Sequence, residues 1–244
     1  KCICSSCIFI LNSASLGGTL GIEHIKNLTI IKSIYRLNKA KASGAVLYIT
    51  SCNRVHLFNC NFLANIAQIS GGVISIADTK AILTTMCKFV YNSAGYQGGA
   101  IYSQNTAEVA LYSSIILRNV AEKAGGGFSI SKNKIFNILK CQFFRNRANN
   151  RAGAIFIIDS VKAHILNCKF QNNTAESSGG AIYSENIASF EITLSHLTNH
   201  KSKQNGGAVF SAGSGNLHYT HSTFINNNAA SGGSLYIFGS HLSK

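Results

Sequence analysis

Three residues with metal-binding or acid–base side chains recur at a fixed interval in the last third of the chain. His164, Glu191 and His218 are evenly spaced, and His196 and His221 lie near the same segments. Two imidazoles and a carboxylate brought into one line could form a metal site or a pH-sensitive patch. Exposed polar residues at a position that tolerates many side chains would give the same spacing, and we favour this interpretation. The sequence therefore predicts no metal and no other cofactor.

The chain has few carboxylates, which limits hydrolytic chemistry. Only eight Asp and Glu residues occur among 244 residues, whereas a glycosidase needs two carboxylates at a defined separation across the scissile bond. Asp78 and Asp159 share one column of the repeat described below, but they are three repeats apart, or about 14 Å by strand spacing. Glu122 and Glu176 are two repeats apart with Asn149 between them. The sequence therefore predicts no catalytic residue and no enzyme.

Eight cysteines raise the possibility of a disulfide framework. Five of them occupy one column of the repeat, which Ser fills in the other copies: Cys7, Cys60, Cys87, Cys141 and Cys168. Stacked neighbours in such a column lie within reach of a disulfide. We expect instead a ladder of packed thiols that face the interior. Cys2 and Cys4 match apolar positions of the next repeat, and Cys52 lies outside the column.

All of these residues belong to a repeat of about 27 residues, a period typical of solenoid proteins. The hexapeptide "GGAIYS" occurs at 98–103 and again at 179–184, three periods later. A glycine before a short apolar run recurs at intervals of 26 to 28, at Gly18, Gly44, Gly72, Gly99, Gly126, Gly153, Gly180, Gly207 and Gly233. A bulky apolar residue, an Asn three positions later and an Ala two positions after that precede these glycines, except that His200 and Ser202 replace the Asn and the Ala before Gly207. Nine copies fill the chain, which predicts one domain over residues 1–244.

Within each copy the apolar residues alternate with a period of two, which indicates strands and not helices. The pattern predicts an all-β, right-handed parallel β-helix whose coils contain three short strands each. Equivalent residues of successive coils would then stack about 4.8 Å apart, giving a rod about 40 Å long. Asn suits such a corner because stacked amides bond each other and because Asn tolerates unusual backbone angles. We expect this ladder at Asn65, Asn92, Asn119, Asn146 and Asn173.

The two halves of the repeat resemble the signature of the chlamydial polymorphic membrane proteins, G-G-A-[ILV] and F-x-x-N. The first reads Gly98–Ile101, Gly179–Ile182 and Gly206–Val209, and the second reads Phe62–Asn65, Phe89–Asn92, Phe143–Asn146 and Phe170–Asn173. Similar repeats occur in surface proteins of ciliates and other protists. The resemblance implies a right-handed parallel β-helix of the pectin-lyase-like type, secreted or displayed on a cell surface and often adhesive. It brings no catalytic residues with it.

Composition agrees with an extracellular binding or structural protein. Lys and Arg exceed Asp and Glu by 14, which favours anionic partners such as acidic polysaccharide. The basic residues are scattered, so we predict no specific nucleic-acid site. No apolar run is long enough for a transmembrane helix, and the chain begins with Lys1. We expect a mature product or a segment of a longer protein, covered at its ends by flanking chain or stacked end to end on identical copies.

Candidate contact residues lie on the outside of the expected coil. A large aromatic side chain often follows the inward Ile, at Tyr102, Phe156, Tyr183, Phe210 and Tyr236. Such a stripe would suit a lateral partner or a stacked sugar, or it would be packing between neighbouring aromatics. Asn27 and Asn172 begin N-glycosylation sequons. The sequence thus predicts a structural or adhesive β-helix, and the alternative is a β-helix that binds or cleaves polysaccharide along a lateral groove.

Overall fold

The repeats form coils of four short parallel strands, three in the last coil, in the computed structural model, which describes residues 2–239. Every strand pairs with the equivalent strand of the next coil, so that four sheets run along the axis. Side chains alternate between the interior and the outer surface within the strands, and the inward ones are apolar. In Arg54–Phe58 only Val55 and Leu57 are buried. No helix occurs among residues 2–239. The predicted parallel β-helix of about nine coils, with about 27 residues each, is confirmed.

The four sheets are called A to D in the order in which the chain enters them. Sheet A contains Cys2–Ser5, Asn27–Ile31, Arg54–Phe58, Ala81–Thr85, Glu108–Tyr112, Ile135–Leu139, Lys162–Leu166, Ser189–Thr193 and Asn216–Thr220. Sheet B contains Ile8–Ile10, Ile34–Arg36, Asn61–Leu63, Lys88–Val90, Ile115–Leu117, Gln142–Phe144, Lys169–Gln171, His196–Thr198 and Thr223–Ile225. Sheet C contains Ser13–Ala14, Lys39–Ala40, Ile66–Ala67, Ser93–Ala94, Val120–Ala121, Arg147–Ala148, Thr174–Ala175 and Lys201–Ser202. Sheet D contains Leu20–Glu23, Leu47–Thr50, Ile74–Ala77, Ile101–Gln104, Phe128–Ser131, Ile155–Ile158, Ile182–Glu185, Val209–Ala212 and Leu235–Phe238.

The expectation of three strands per coil is wrong, because the Asn-x-Ala segment also pairs and forms sheet C. Its strands are only two residues long, too short to show an alternating pattern in the sequence. Within the described chain, coil length varies by one residue only in the loop between sheets C and D. Ala14 pairs with Ala40 before this loop, whereas Leu20 pairs with Leu47 after it, one position further along. Residue 1 and residues 240–244 of the predicted domain lie outside the described residues.

The glycine column predicted from the sequence is out of register by one residue at Gly44. Leu20 pairs with Leu47, so Gly44 stacks on Gly17 and Ala45 stacks on Gly18. Gly17 and Gly44 have φ angles of 58° and 66°. They share a left-handed corner that precedes sheet D, where a side chain would be strained. The first glycine of each pair makes the corner, and the second leaves room for the neighbouring coil.

The core consists of side chains that stack from coil to coil in several columns inside the β-helix. Tyr35, Phe62 and Phe89 are stacked with ring centroids 4.8–5.1 Å apart. Where this column changes to Ile116, the larger Phe128 of sheet D fills the space and makes edge contacts with Phe89 and Phe143. The substitutions therefore compensate each other and keep the interior packed, because an unfilled cavity would be costly.

Candidate interaction surface

The corner between sheets B and C is held by the predicted asparagine ladder. Asn65, Asn92, Asn119, Asn146 and Asn173 are all fully buried. Each Oδ1 from Asn92 to Asn173 accepts the backbone N–H and the amide of the Asn one coil before, as between Asn92 and Asn119 at 3.0 and 2.9 Å. Each Nδ2 also donates to a backbone carbonyl of the preceding coil. The side chains thus satisfy buried backbone groups at a corner where no strand can do so.

The sequence-based reason for Asn at this corner was partly wrong. The residue with positive φ is not the ladder Asn but the residue before it, as at Tyr91, Arg118 and Arg145. That left-handed residue makes the bend and points its own side chain outward. Its type can therefore vary from coil to coil, whereas the ladder residue after it is fixed by hydrogen bonding.

The Cys/Ser column forms a second ladder at the corner between sheets A and B. Cys60, Cys87, Cys141 and Cys168 are buried free thiols, and Cys7 is partly buried. The backbone N–H of Cys141 donates to the Cys168 sulfur at 3.4 Å, and the Cys168 N–H donates to the Ser195 hydroxyl at 3.0 Å. Burial raises the pKa of Cys141 and Cys168 to about 12. Cys and Ser both occur in this column because both are small and both can donate and accept hydrogen bonds. The sequence analysis did not predict this hydrogen-bonding role.

The aromatic column on the outer face of sheet D is mostly packed, which favours the second of the two interpretations given for it from the sequence. Phe156, Tyr183, Phe210 and Tyr236 stack with centroids 4.6–5.6 Å apart, and Phe156 and Tyr183 are each only 5% exposed. Ala124 and Ala152 of the loop between sheets C and D cover them. Tyr102 is separated from this stack by Ser129, which pairs with both Tyr102 and Phe156. Packing between neighbours is therefore the main role of this column.

The line of His164, Glu191 and His218 forms in register on the outer face of sheet A. The His164 Nε2 lies 3.9 Å from a Glu191 oxygen, and the Lys162 ammonium lies 3.9 Å from the other. Ser189 donates a hydrogen bond to the same carboxylate. Between residues 2 and 239, no group of three His, Cys, Asp or Glu residues has the arrangement of a metal site.

The same face of sheet A carries a shallow depression of about 760 Å³ in coils 2 to 5. Arg54 and Lys80 line it together with His56, Glu108 and Tyr112. A second depression, of about 650 Å³, lies on sheet C between Arg147 and Lys203. Both combine charged groups with apolar stems, and both are open to solvent. These two depressions are thus contact surfaces and not deep pockets.

Comparison with known proteins identifies the type of repeat in two segments of the chain. The profile of the Chlamydia polymorphic membrane protein (Pmp) repeat matches residues 87–104 and 167–185. Both segments run from the Cys column through the Asn ladder and the glycine corner into sheet D. The chain is a parallel β-helix that contains repeats of the Pmp type. Neither curated proteins nor solved structures gave a significant match.

Most carboxylates of this β-helix are held by neighbouring side chains. Asp78 accepts a hydrogen bond from Asn105, and Asp159 accepts one from Asn186. Glu176 accepts from Lys203 and Arg147, which lower its pKa. These contacts tie the coils together, and Asp78 and Asp159 remain three coils apart in one column. In residues 2–239 no helix is long and apolar enough to cross a membrane.

The arginines that are close in sequence lie on different parts of the coil. Arg145 is exposed at the corner between sheets B and C, Arg147 pairs with Glu176 at 3.2 Å, and Arg151 lies over the Tyr183 ring at 5.0 Å. The sequon residues are also separated, with Asn27 exposed on sheet A and Asn172 partly exposed at the Arg145 corner. Arg118, one coil before Arg145 in the same column, was not singled out from the sequence.

Proposed function

We propose that the chain is a non-enzymatic β-helix of a cell surface or extracellular protein, with a structural and adhesive role. The observation that carries this proposal is the contrast between the constant inward columns and the variable outward ones. The ladder at the B–C corner is Asn in seven successive coils, from Asn12 to Asn173, whereas the residue beside it changes, for example from Tyr91 to Arg118. A rigid interior of this kind presents different side chains along a long face, which suits binding to an extended or repetitive partner.

The Pmp-type repeat supports a location at the cell surface. Antibody against the chain should label intact cells of the source organism, and protease added to intact cells should remove the signal. Labelling that requires permeabilisation would contradict the location.

Adhesion is tested with beads coated with the folded chain. These beads should bind cells or extracellular matrix, whereas beads coated with the same chain after heat unfolding should lose specific binding. Equal attachment of both bead types would contradict an adhesive role for the β-helix.

We also propose that the edge strands at each end of the rod pair either with flanking chain or with a second copy. Exposed parallel edges favour such pairing because their backbone groups need partners. Electron microscopy at several concentrations distinguishes the two arrangements. Filaments that lengthen with concentration would support stacking between copies, and rods of constant length would exclude it.

A further inference from the structure

The corner between sheets B and C carries two arginines at equivalent positions of adjacent coils. Arg118 and Arg145 both have positive φ, at 53° and 52°, and both side chains are exposed. Neighbouring parallel strands hold equivalent residues about 4.8 Å apart. Two positive side chains on such neighbouring residues raise the local positive potential. No carboxylate lines the depression of about 440 Å³ in which they lie.

One of the two guanidinium groups is held in place by an aromatic residue. Arg118 lies over the Tyr91 ring at 5.3 Å and donates to the Tyr91 hydroxyl. Leu117 and Phe144 form the apolar part of the lining. Tyr91, Leu117, Arg118, Phe144 and Arg145 are called the arginine corner. Because the ring already restricts the guanidinium, little side-chain conformational freedom is lost when the guanidinium binds an oxyanion through two hydrogen bonds.

We propose that the arginine corner binds the carboxylate or sulfate groups of an acidic polysaccharide. This inference rests on the proposed adhesive function, for which it names the partner. Arg118 and Arg145 would hold the anionic groups, and Phe144 would contact a sugar ring. The nearby Arg147 is less suited to this task, because Glu176 already neutralises it at 3.2 Å.

The length of the charged row favours a polysaccharide over a nucleic acid. The column has Leu37 and Ala64 before the two arginines and Asn172 after them. The charge is thus confined to two coils, and the amides of Gln171 and Asn172 complete the lining. Amides suit the hydroxyl groups of a sugar chain. A nucleic acid strand carries a phosphate about every 3.4 Å and would be bound by a longer basic track.

The test is a binding titration with two defined probes, a fluorescent heparin oligosaccharide and an oligogalacturonate. The full chain is made in bacteria, so that Asn172 carries no glycan. Arg118→Asn/Arg145→Asn places in both coils the residue that this column has at Asn172. The matched control is Lys32→Asn/Lys140→Asn. Both lysines are exposed residues with positive φ at the A–B corner, where Asn59 and Asn167 occupy the same column.

We expect the arginine double variant to weaken binding of both probes about tenfold or more, since it removes two charge-assisted contacts. The lysine control loses the same charge, and its Kd should change less than about twofold. Arg118→Lys/Arg145→Lys should give an intermediate loss of affinity, because lysine keeps the positive charge but lacks the paired N–H donors of the guanidinium. Unchanged circular dichroism and thermal unfolding establish that each variant is folded.

Three outcomes would overturn the proposal. Equal losses in the arginine and lysine variants would assign binding to the overall charge. Tighter, arginine-dependent binding of single-stranded DNA or phosphatidylserine vesicles would show that the ligand class is wrong. Failure of the wild-type chain to bind either probe would remove the site. If beads coated with the arginine variant still adhere to cells, the adhesive function stands without this site.

Discussion

At the scale of single residues, the clearest departure from the repeat is His200, which replaces Asn in the buried ladder. Its Nδ1 accepts the Asn173 N–H at 3.1 Å, so the neutral ring carries its proton on Nε2, which is buried and makes no well-formed hydrogen bond. Burial lowers the pKa of His200 to about 3. Protonation therefore favours the unfolded chain, whose histidine has a pKa of about 6.5.

The sign of the pH effect follows from this lowered pKa. The contribution of His200 to stability is complete above about pH 6.5 and falls by about 1.4 kcal/mol per pH unit as the pH drops toward 3. His200→Asn should remove this loss and stabilise the protein by about 1 kcal/mol at neutral pH, because Asn restores the ladder bonds. Urea unfolding at a series of pH values measures both effects.

The control for this prediction is His221→Asn. His221 is exposed at a corner with positive φ, in a column that also contains Asn167. This substitution should leave the pH dependence of unfolding as in the wild type. The interpretation of His200 fails if the two variants show the same pH dependence.

At the scale of the structural element, the left-handed glycine corner before sheet D limits what each coil can accept. Gly179 has a φ of 68°, and a Cβ there would lie 2.3 Å from the Ile182 carbonyl oxygen. Gly179→Ala should therefore destabilise the protein by about 1–3 kcal/mol. The matched control is Gly21→Ala, because a Cβ at Gly21 meets no atom within 4 Å. Chemical unfolding should show a lower midpoint for the first variant alone.

One coil already has an alanine at this corner, which allows the reverse substitution to be tested. Ala152 has a φ of 58° and packs against the aromatic stack at Phe156. Ala152→Gly should relieve the backbone strain but lose this contact, so its effect should be smaller than that of Gly179→Ala. A loss as large as that of Gly179→Ala would show that packing, not backbone strain, decides this corner.

At the scale of the whole molecule, the repeat alone predicted the parallel stack and the columns that line its interior. An Asn or Phe that returns once in every period of the sequence leaves few other arrangements. The outer surface was less predictable, because its burial depends on residues of a neighbouring loop. Ala124 and Ala152 cover Phe156, and the cation over the Tyr91 ring comes from Arg118 in the next coil. The first contact crosses between columns, and the second joins two different residues at a variable position of one column, so neither follows from a residue that repeats.

The modular construction makes a strong prediction about deletions. Each coil contacts mainly its two neighbours, so removal of one complete repeat should leave a shorter, cooperatively folded rod. Deletion of residues 64–90 joins Leu63 to Tyr91, which stacks in register on Ala64. The resulting chain should keep its β-sheet circular dichroism and lose a modest part of its stability.

Two further deletions each remove one residue fewer than a full repeat, so that one extra residue stays in the coil. They test where the coil tolerates it. Removing 69–94 leaves one additional residue in the loop between sheets C and D, where coil length already varies. Removing 64–89 leaves it at the B–C corner, next to the Asn ladder. The first should unfold like the chain that lacks 64–90. The second should have a clearly lower unfolding midpoint, because the extra residue lies between the sheet B strand and the left-handed bend and so shifts the ladder Asn relative to that strand. Equal midpoints for all three chains would mean that the ladder does not fix the register of the coil.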